Sequence, residues 1–243
     1  MKLIYRIYQL FVVLPFLIFS SIACALVTTI GCTLGDGHYW GYYPGKWWGR
    51  FIIWVSLLPI KVEGREHLRK DQSYVFVSNH QGSFDIFIIY GFLGRNFKWM
   101  MKKSLRKIPM VGYACYKAGH IYVDRGSTVG IRETMKTAEA QLSHGMSVVV
   151  FPEGSRSADG EVHAFRRGAY MLATEFNLPV VPVTIDGAFK VMPRQKRLPR
   201  PGHITITIHQ PITAPDGGHD LSALMQQSRD AIISGLHNNT VAK

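Results

Sequence analysis

His80 and Asp85 stand five positions apart in Asn79-His80-Gln81-Gly82-Ser83-Phe84-Asp85, directly after the apolar run Tyr74-Val75-Phe76-Val77. A histidine leaving a buried strand can serve as a general base. An aspartate can hold one of its ring nitrogens so that the other faces a substrate hydroxyl. On one ideal helix residues five apart point to different faces, so the pair requires His80 in a loop and Asp85 in the first turn of the helix that follows. The polar Gln-Gly-Ser stretch permits that turn. Taken alone the spacing is weak, because it arises by chance and an aspartate there also favours a helix N-terminus.

A second polar segment, Phe151-Pro152-Glu153-Gly154-Ser155-Arg156-Ser157, follows the apolar run Val148-Val149-Val150. Arg156 therefore emerges at a strand end, as does Arg125 after Ile121-Tyr122-Val123, and strand ends of an α/β sheet are where ligands bind. A guanidinium there grips phosphate through paired hydrogen bonds that a lysine cannot reproduce. The competing reading is a surface pair with Asp124 or Glu153. Pro152 shapes the loop. Lys102 can add charge to the same phosphate site, or belong with Lys98, Lys103, Arg106 and Lys107 to a solvated basic segment that attracts anionic headgroups. Arg166 or Arg167, ahead of Gly168, can also face a headgroup pocket.

Four elements must position these residues: strands at 74–78, 119–123, 147–151 and 180–185. A fifth, at 203–209, alternates Ile204, Ile206 and Ile208. Ile131, Met135, Ala138 and Leu142 share one face of a helix expected over 127–144, with Gly145 as its stop. Leu221, Leu224, Met225, Ile232 and Leu236 mark another over 220–236. The prolines in Lys190 to Arg200 argue for a basic surface loop, facing headgroups, an acidic protein partner, or solvent alone. The fold class expected is α/β: one domain, residues 61–243, with a mixed sheet flanked by helices.

Residues 1–60 read differently. No charge interrupts Leu10 to Leu34, a run long enough to cross about 30 Å of hydrocarbon as a helix. The shorter run Trp47 to Ile60 cannot span alone, and its tryptophans favour the lipid interface. Two apolar segments joined by a Gly-rich turn form a membrane-embedded helical hairpin. Basic residues on both flanks, Lys2 and Arg6 before and Lys61 and Arg65 after, place both ends and the catalytic domain on the cytoplasmic face of the cell membrane. A cleaved signal peptide fits less well, because apolar character continues past any cleavage point. With Lys+Arg 28 against Asp+Glu 16, the net charge is +12 and the pI about 9.7, a balance suited to an anionic bilayer or nucleic acid. No nucleic-acid-binding pattern is present, so the bilayer is the expected partner. Cys24, Cys32 and Cys115 form neither a disulfide framework nor a zinc site, and nothing in the sequence activates Cys115 as a nucleophile.

In chain order these segments resemble the four blocks of the 1-acylglycerol-3-phosphate acyltransferases. The first is Asn79-His80 to Asp85, and the second is Gly119-His120-Ile121-Tyr122-Val123-Asp124-Arg125, preceded by Lys102 to Pro109. Phe151 to Ser157 is the third and Val181-Pro182-Val183-Thr184-Ile185 the fourth. Ser155 stands where the family usually has threonine, which keeps the hydroxyl. The resemblance implies that His80, oriented by Asp85, deprotonates the sn-2 hydroxyl of lysophosphatidate for attack on an acyl thioester, yielding phosphatidate. Lys102, Arg125 and Arg156 would fix the phosphate, and Glu153, Gly154 and Ser155 would line the glycerol. The acyl donor, acyl-CoA or acyl-acyl carrier protein, is a co-substrate; no metal or bound cofactor is required. The same blocks suit enzymes that acylate lyso-ornithine, lyso-glycine or other lyso-lipids. A serine hydrolase using Ser155 lacks the Gly-x-Ser-x-Gly elbow, and a non-catalytic membrane-binding protein has no need of His80 and Asp85.

Overall fold

Val, Ile and Thr dominate the segments that become strands, and apolar residues at helical spacing separate them, so the chain beyond residue 60 alternates strand and helix. The computed structural model describes residues 2–123, 128–142, 146–196, 198–213 and 220–237. Four helices come first: α1 (Lys2–Tyr8), α2 (Leu14–Leu34), α3 (Gly37–Trp40) and α4 (Tyr43–Val55). There follow β1 (Ile60–Glu63), β2 (Val75–Ser78), α5 (Asp85–Phe92), β3 (Phe97–Lys102), α6 (Val111–Lys117), β4 (Ile121–Val123) and α7 (Thr128–Leu142). The chain continues through β5 (Ser147–Val150), α8 (Gly168–Glu175), β6 (Val180–Asp186), α9 (Ala188–Val191), β7 (Ile204–Ile208) and α10 (Leu221–Ser234).

The strands form one seven-stranded sheet in the order β1-β7-β6-β2-β5-β3-β4. All neighbours run parallel except β6 and β7, so the sheet is mixed, as expected. β2, β5 and β6 are buried at every position because helices cover both faces. One apolar layer contains Phe76, Ile88, Ile89, Val149 and Ile185; the other contains Val75, Val148, Leu172, Leu224 and Ile232. The parallel run β6-β2-β5-β3-β4 brings five carboxyl ends to one edge of the sheet, where the loops carrying the polar segments emerge.

Two strands escaped the sequence reading, β1 and β3. The first half of the basic segment beginning at Lys98 is strand, and Lys98 itself is buried, its ammonium donating to the carbonyls of Ala118 (2.7 Å) and Gly37 (3.3 Å). Lys98 thus ties three elements together rather than attracting lipid. The basic segment over 190–200 begins with the last residues of α9, and its remaining described residues, 192–196 and 198–200, form no helix.

Residues Leu3–Leu34 form one helical rod of 32 residues, long and apolar enough to cross a membrane. A π-helical turn, Gln9–Val13, lies just ahead of Pro15, which has no N–H to return to the preceding turn. The rod leads through α3 into α4, giving the expected hairpin. The return arm is not a free membrane segment. Gly49 of α4 sits so close to α5 that a Cβ there would lie 2.6 Å from the Phe87 carbonyl oxygen, and Ile52 and Ile53 belong to the same core layer as β2 and β6. Packing is therefore continuous across residue 60. Trp47 and Trp54 face outward, while Trp48 packs inward against Phe87.

Candidate active site

Asn79 follows β2 and extends its pairing with its side chain. Its amide donates to the Ile185 carbonyl (2.9 Å) and accepts from the Ile185 N–H (2.8 Å), imitating a ladder rung to β6. His80 comes next, clamped from the β5 side: its N–H donates to Glu153 Oε1 (2.9 Å) and its carbonyl accepts from the Ser157 N–H (2.7 Å). The loop then turns, and Asp85 opens α5 as the spacing required.

Asp85 is fully buried. Its Oδ2 lies 2.8 Å from His80 Nδ1 and also accepts the N–H groups of Gln81 (2.7 Å) and Gly82 (2.8 Å). A carboxylate can only accept, so Nδ1 carries a proton, and in the neutral ring Nε2 keeps its lone pair. Phe151 fixes the ring plane by stacking at 4.0 Å and 9°. Held from two directions, the imidazole lines a cavity of about 760 Å³.

Gly154, Ser155 and Lys102 line this cavity with His80, as does Arg166. Arg156 reaches across to Ser83 on the His80–Asp85 loop, donating from Nη1 to the hydroxyl. Arg125 lies outside the described residues. Glu153 is not among the residues that line the cavity. Its two oxygens are taken by the N–H groups of His80 and His163 (3.1 Å), so it shapes the histidine loop from beneath. Burial pushes its carboxyl above the usual range, against the pull of those two amides. Sequence could show only that a carboxylate follows β5. The adjacency of β5 and β2 directs it to the histidine loop.

Away from His80 the cavity is apolar, walled by Cys24, Ala25 and Thr28 of α2, Trp99 and Met100 of β3, Ala114 of α6 and Ala118 just after it. Tyr90 and His120 meet in its wall, Oη to Nε2 at 2.8 Å, while the Trp99 N–H points to His120 Nδ1 (3.3 Å). Burial, helped by the charge of Lys98, depresses His120 to about 3, so it stays neutral. Cys115, also on the wall, is pushed up to about 11 by burial and remains a thiol, unsuited to carrying an acyl group.

A family model described as Acyltransferase matches residues 59–186, more than half of the chain. The chain belongs to the acyltransferase family. Among its relatives is the chloroplastic 1-acyl-sn-glycerol-3-phosphate acyltransferase of Arabidopsis thaliana, 32% identical over 197 residues, which are 80% of this chain and 54% of that protein. The mouse 1-acyl-sn-glycerol-3-phosphate acyltransferase alpha is 30% identical over 181 residues, 72% of this chain and 62% of the relative. The chain thus spans about half the length of the first of these curated relatives. The crystal structure of the 1-acyl-sn-glycerophosphate acyltransferase PlsC from Thermotoga maritima superposes with a TM-score of 0.78 at 27% identity, covering 95% of both chains. The N-terminal hairpin and the α/β domain of this acyltransferase therefore recur together in that enzyme's architecture.

Proposed function

We propose that this acyltransferase moves a fatty acyl group from a thioester of coenzyme A or acyl carrier protein to the sn-2 hydroxyl of 1-acylglycerol 3-phosphate, producing phosphatidate. The observation that carries this reading is the His80–Asp85 contact at 2.8 Å, with Nε2 presented to a large apolar cavity. His80 Nε2 takes the proton of the acceptor hydroxyl as that oxygen bonds to the thioester carbonyl carbon. Asp85 stabilises the imidazolium that results. Collapse of the tetrahedral adduct breaks the C–S bond, and the imidazolium returns its proton to the departing sulfur. The apolar cavity suits fatty chains. Lys102 and Arg166 at its wall, Arg156 beside Ser83, and Arg125 from the second block supply the cationic charge for the phosphate.

The helical rod favours residence in one leaflet of a membrane. Its amino end is tied to the domain by Gln9 Nε2 to the Pro199 carbonyl (2.6 Å) and Tyr8 Oη to the Val55 carbonyl (2.8 Å). Just beyond its far end, the Gly37 and His38 carbonyls accept from Lys98 and Asn96. A rod of about 48 Å with both ends bound to one globular domain cannot stand upright in the bilayer without drawing that domain into hydrocarbon. Lying along the interface, it buries Phe11, Phe19, Ile30 and their outward neighbours. Lys2 and Arg6 with Lys61 and Arg65 favour the cytoplasmic face.

The test is acyl transfer by reconstituted protein, offering one long-chain thioester to lysophosphatidate, glycerol 3-phosphate, lyso-ornithine lipid and lyso-glycine lipid. Phosphatidate formation that disappears in His80→Ala is expected. Transfer only to an amino-acid lyso-lipid would keep the chemistry and remove the phosphate assignment; no transfer to any acceptor would overturn the reading.

A further inference from the structure

Between β3 and β4 the chain carries an outward surface that the acyl-transfer chemistry does not use. Lys103–Lys107 form a 3-10 turn, and α6 follows. Met110, Tyr113 and Tyr116 are 44–53% exposed, and none of them lines the cavity. Leu105, Ile108 and Val111 are 42–44% exposed and do line it. These last three are therefore a rim, with solvent-facing surface on one side and cavity wall on the other.

Charge accompanies the apolar side chains. Lys103, Arg106, Lys107 and Lys117 lie in a stretch with no Asp or Glu between Asp85 and Asp124. Two of these cations lie over aromatic rings, Arg106 at 4.2 Å from the Tyr116 centroid and Lys117 at 5.7 Å from that of Tyr113. Tyrosines beside snorkelling cations are the composition of a membrane interface. α6 also packs along α2, so its exposed face continues the apolar outer surface of the rod.

We propose that the segment 103–117 is a second membrane-docking surface, seated on anionic lipid, and that its inner rim is a lateral entrance through which lipid chains pass directly between bilayer and cavity. This rests on the acyl-transfer reading for what passes through, and on the surface alone for the docking. Passage by this route keeps a fatty chain out of water throughout. A second copy of the chain is a poor occupant, because a two-fold contact would set this acid-free patch against itself.

The test uses full-length protein in vesicles of phosphatidylcholine and phosphatidylglycerol. A fluorophore on Tyr113→Cys, in a background with Cys24, Cys32 and Cys115 replaced by serine, is expected to be quenched by doxyl-labelled lipid. Met110→Glu with Tyr113→Glu is expected to lower kcat/KM for vesicle-borne hexadecanoyl lysophosphatidate about tenfold, while dissolved hexanoyl lysophosphatidate is used within about twofold of the parent rate. Circular dichroism checks that the variant folds. Absence of doxyl quenching, equal losses on both substrates, no loss on either, or a concentration-dependent dimer that shields the label would each overturn the proposal. His80→Ala in the same assays separates the two readings: if it still turns over both substrates, the acyl-transfer chemistry fails, and the depth of the label alone decides the docking surface.

Discussion

Replacing Asp85 by asparagine isolates the charge of the dyad from its geometry. Oδ2 accepts three hydrogen bonds, from His80 Nδ1, Gln81 N and Gly82 N, and Oδ1 is buried without a partner. The amide introduced by Asp85→Asn must therefore place its carbonyl at the Oδ2 position, since an NH2 there would confront two backbone donors. Histidine orientation and tautomer survive; the negative charge does not. At 2.8 Å and an effective dielectric near 20, the gross attraction between imidazolium and carboxylate is about 6 kcal/mol. The amide dipole retains part of this, leaving a loss of roughly 4 kcal/mol at the transition state, or about 10³-fold in kcat. Three charge-assisted bonds becoming neutral cost about 2 kcal/mol of stability, an apparent midpoint shift of about 6 °C. Phosphatidate formation from saturating lysophosphatidate and acyl thioester, with thermal melts in the same detergent, measures both. A folded Asp85→Asn enzyme with kcat within about threefold of the parent would refute the electrostatic role and leave Asp85 as a helix-opening residue only.

Glu153→Gln presents an NH2 to one of the two amides now bound, loosening the His80 loop; kcat is expected to fall about tenfold to a hundredfold with KM little changed, and a rise in KM alone would return Glu153 to substrate contact. Gly49→Ala pushes a methyl into the α5 backbone and should cost about 1–3 kcal/mol in unfolding measurements, whereas Gly37→Ala, with nothing within 4 Å of its added carbon, should cost nothing measurable. His120 binds its proton near 6.5 when unfolded but only near 3 in the folded wall, so folded-state stability should decline as pH falls between those values, by up to about 1.4 kcal/mol per pH unit. Melting midpoints from pH 7.5 down to 4.5 should fall less steeply in His120→Asn, and an unchanged slope would assign the acid sensitivity to other groups.

The parts legible in the sequence were those in which a local pattern has one three-dimensional meaning. Buried β-branched runs gave β2, β5 and β6 to within a residue or two, and the spacing from His80 to Asp85 demanded the loop-then-helix geometry found at 2.8 Å. Glu153 and Lys98 take contacts other than those the sequence suggests, for the opposite reason. An acid after a strand and a lysine within one have meaning only once their neighbours are known: the His80 and His163 amides for the first, the Gly37 and Ala118 carbonyls for the second. Every one of these partners lies at least 10 residues away in the chain, beyond any periodicity.

The long apolar rod shows a subtler limit. Hydropathy cannot say which side of Leu14–Leu34 faces protein, because nearly every residue is apolar; size can. Ser21, Cys24, Ala25 and Thr28 follow helical spacing at i, i+3, i+4 and i+7 and line the cavity. One turn on, Gly31 lies under the Trp40 ring, where a Cβ would come within 2.3 Å of Cδ2. Phe16, Ile18, Phe19, Ile22, Leu26 and Ile30 occupy the outer side. Against lipid a bulky side chain costs nothing, while close approach to another helix requires a small one. The small-residue stripe is thus the inward face, and the same feature that lets α6 pack beside α2 also leaves room between them for an acyl chain. Enlarging Ala25 to leucine should therefore shorten the longest thioester used efficiently without changing the rate on short ones. Equal losses across all chain lengths would show that the stripe serves packing alone.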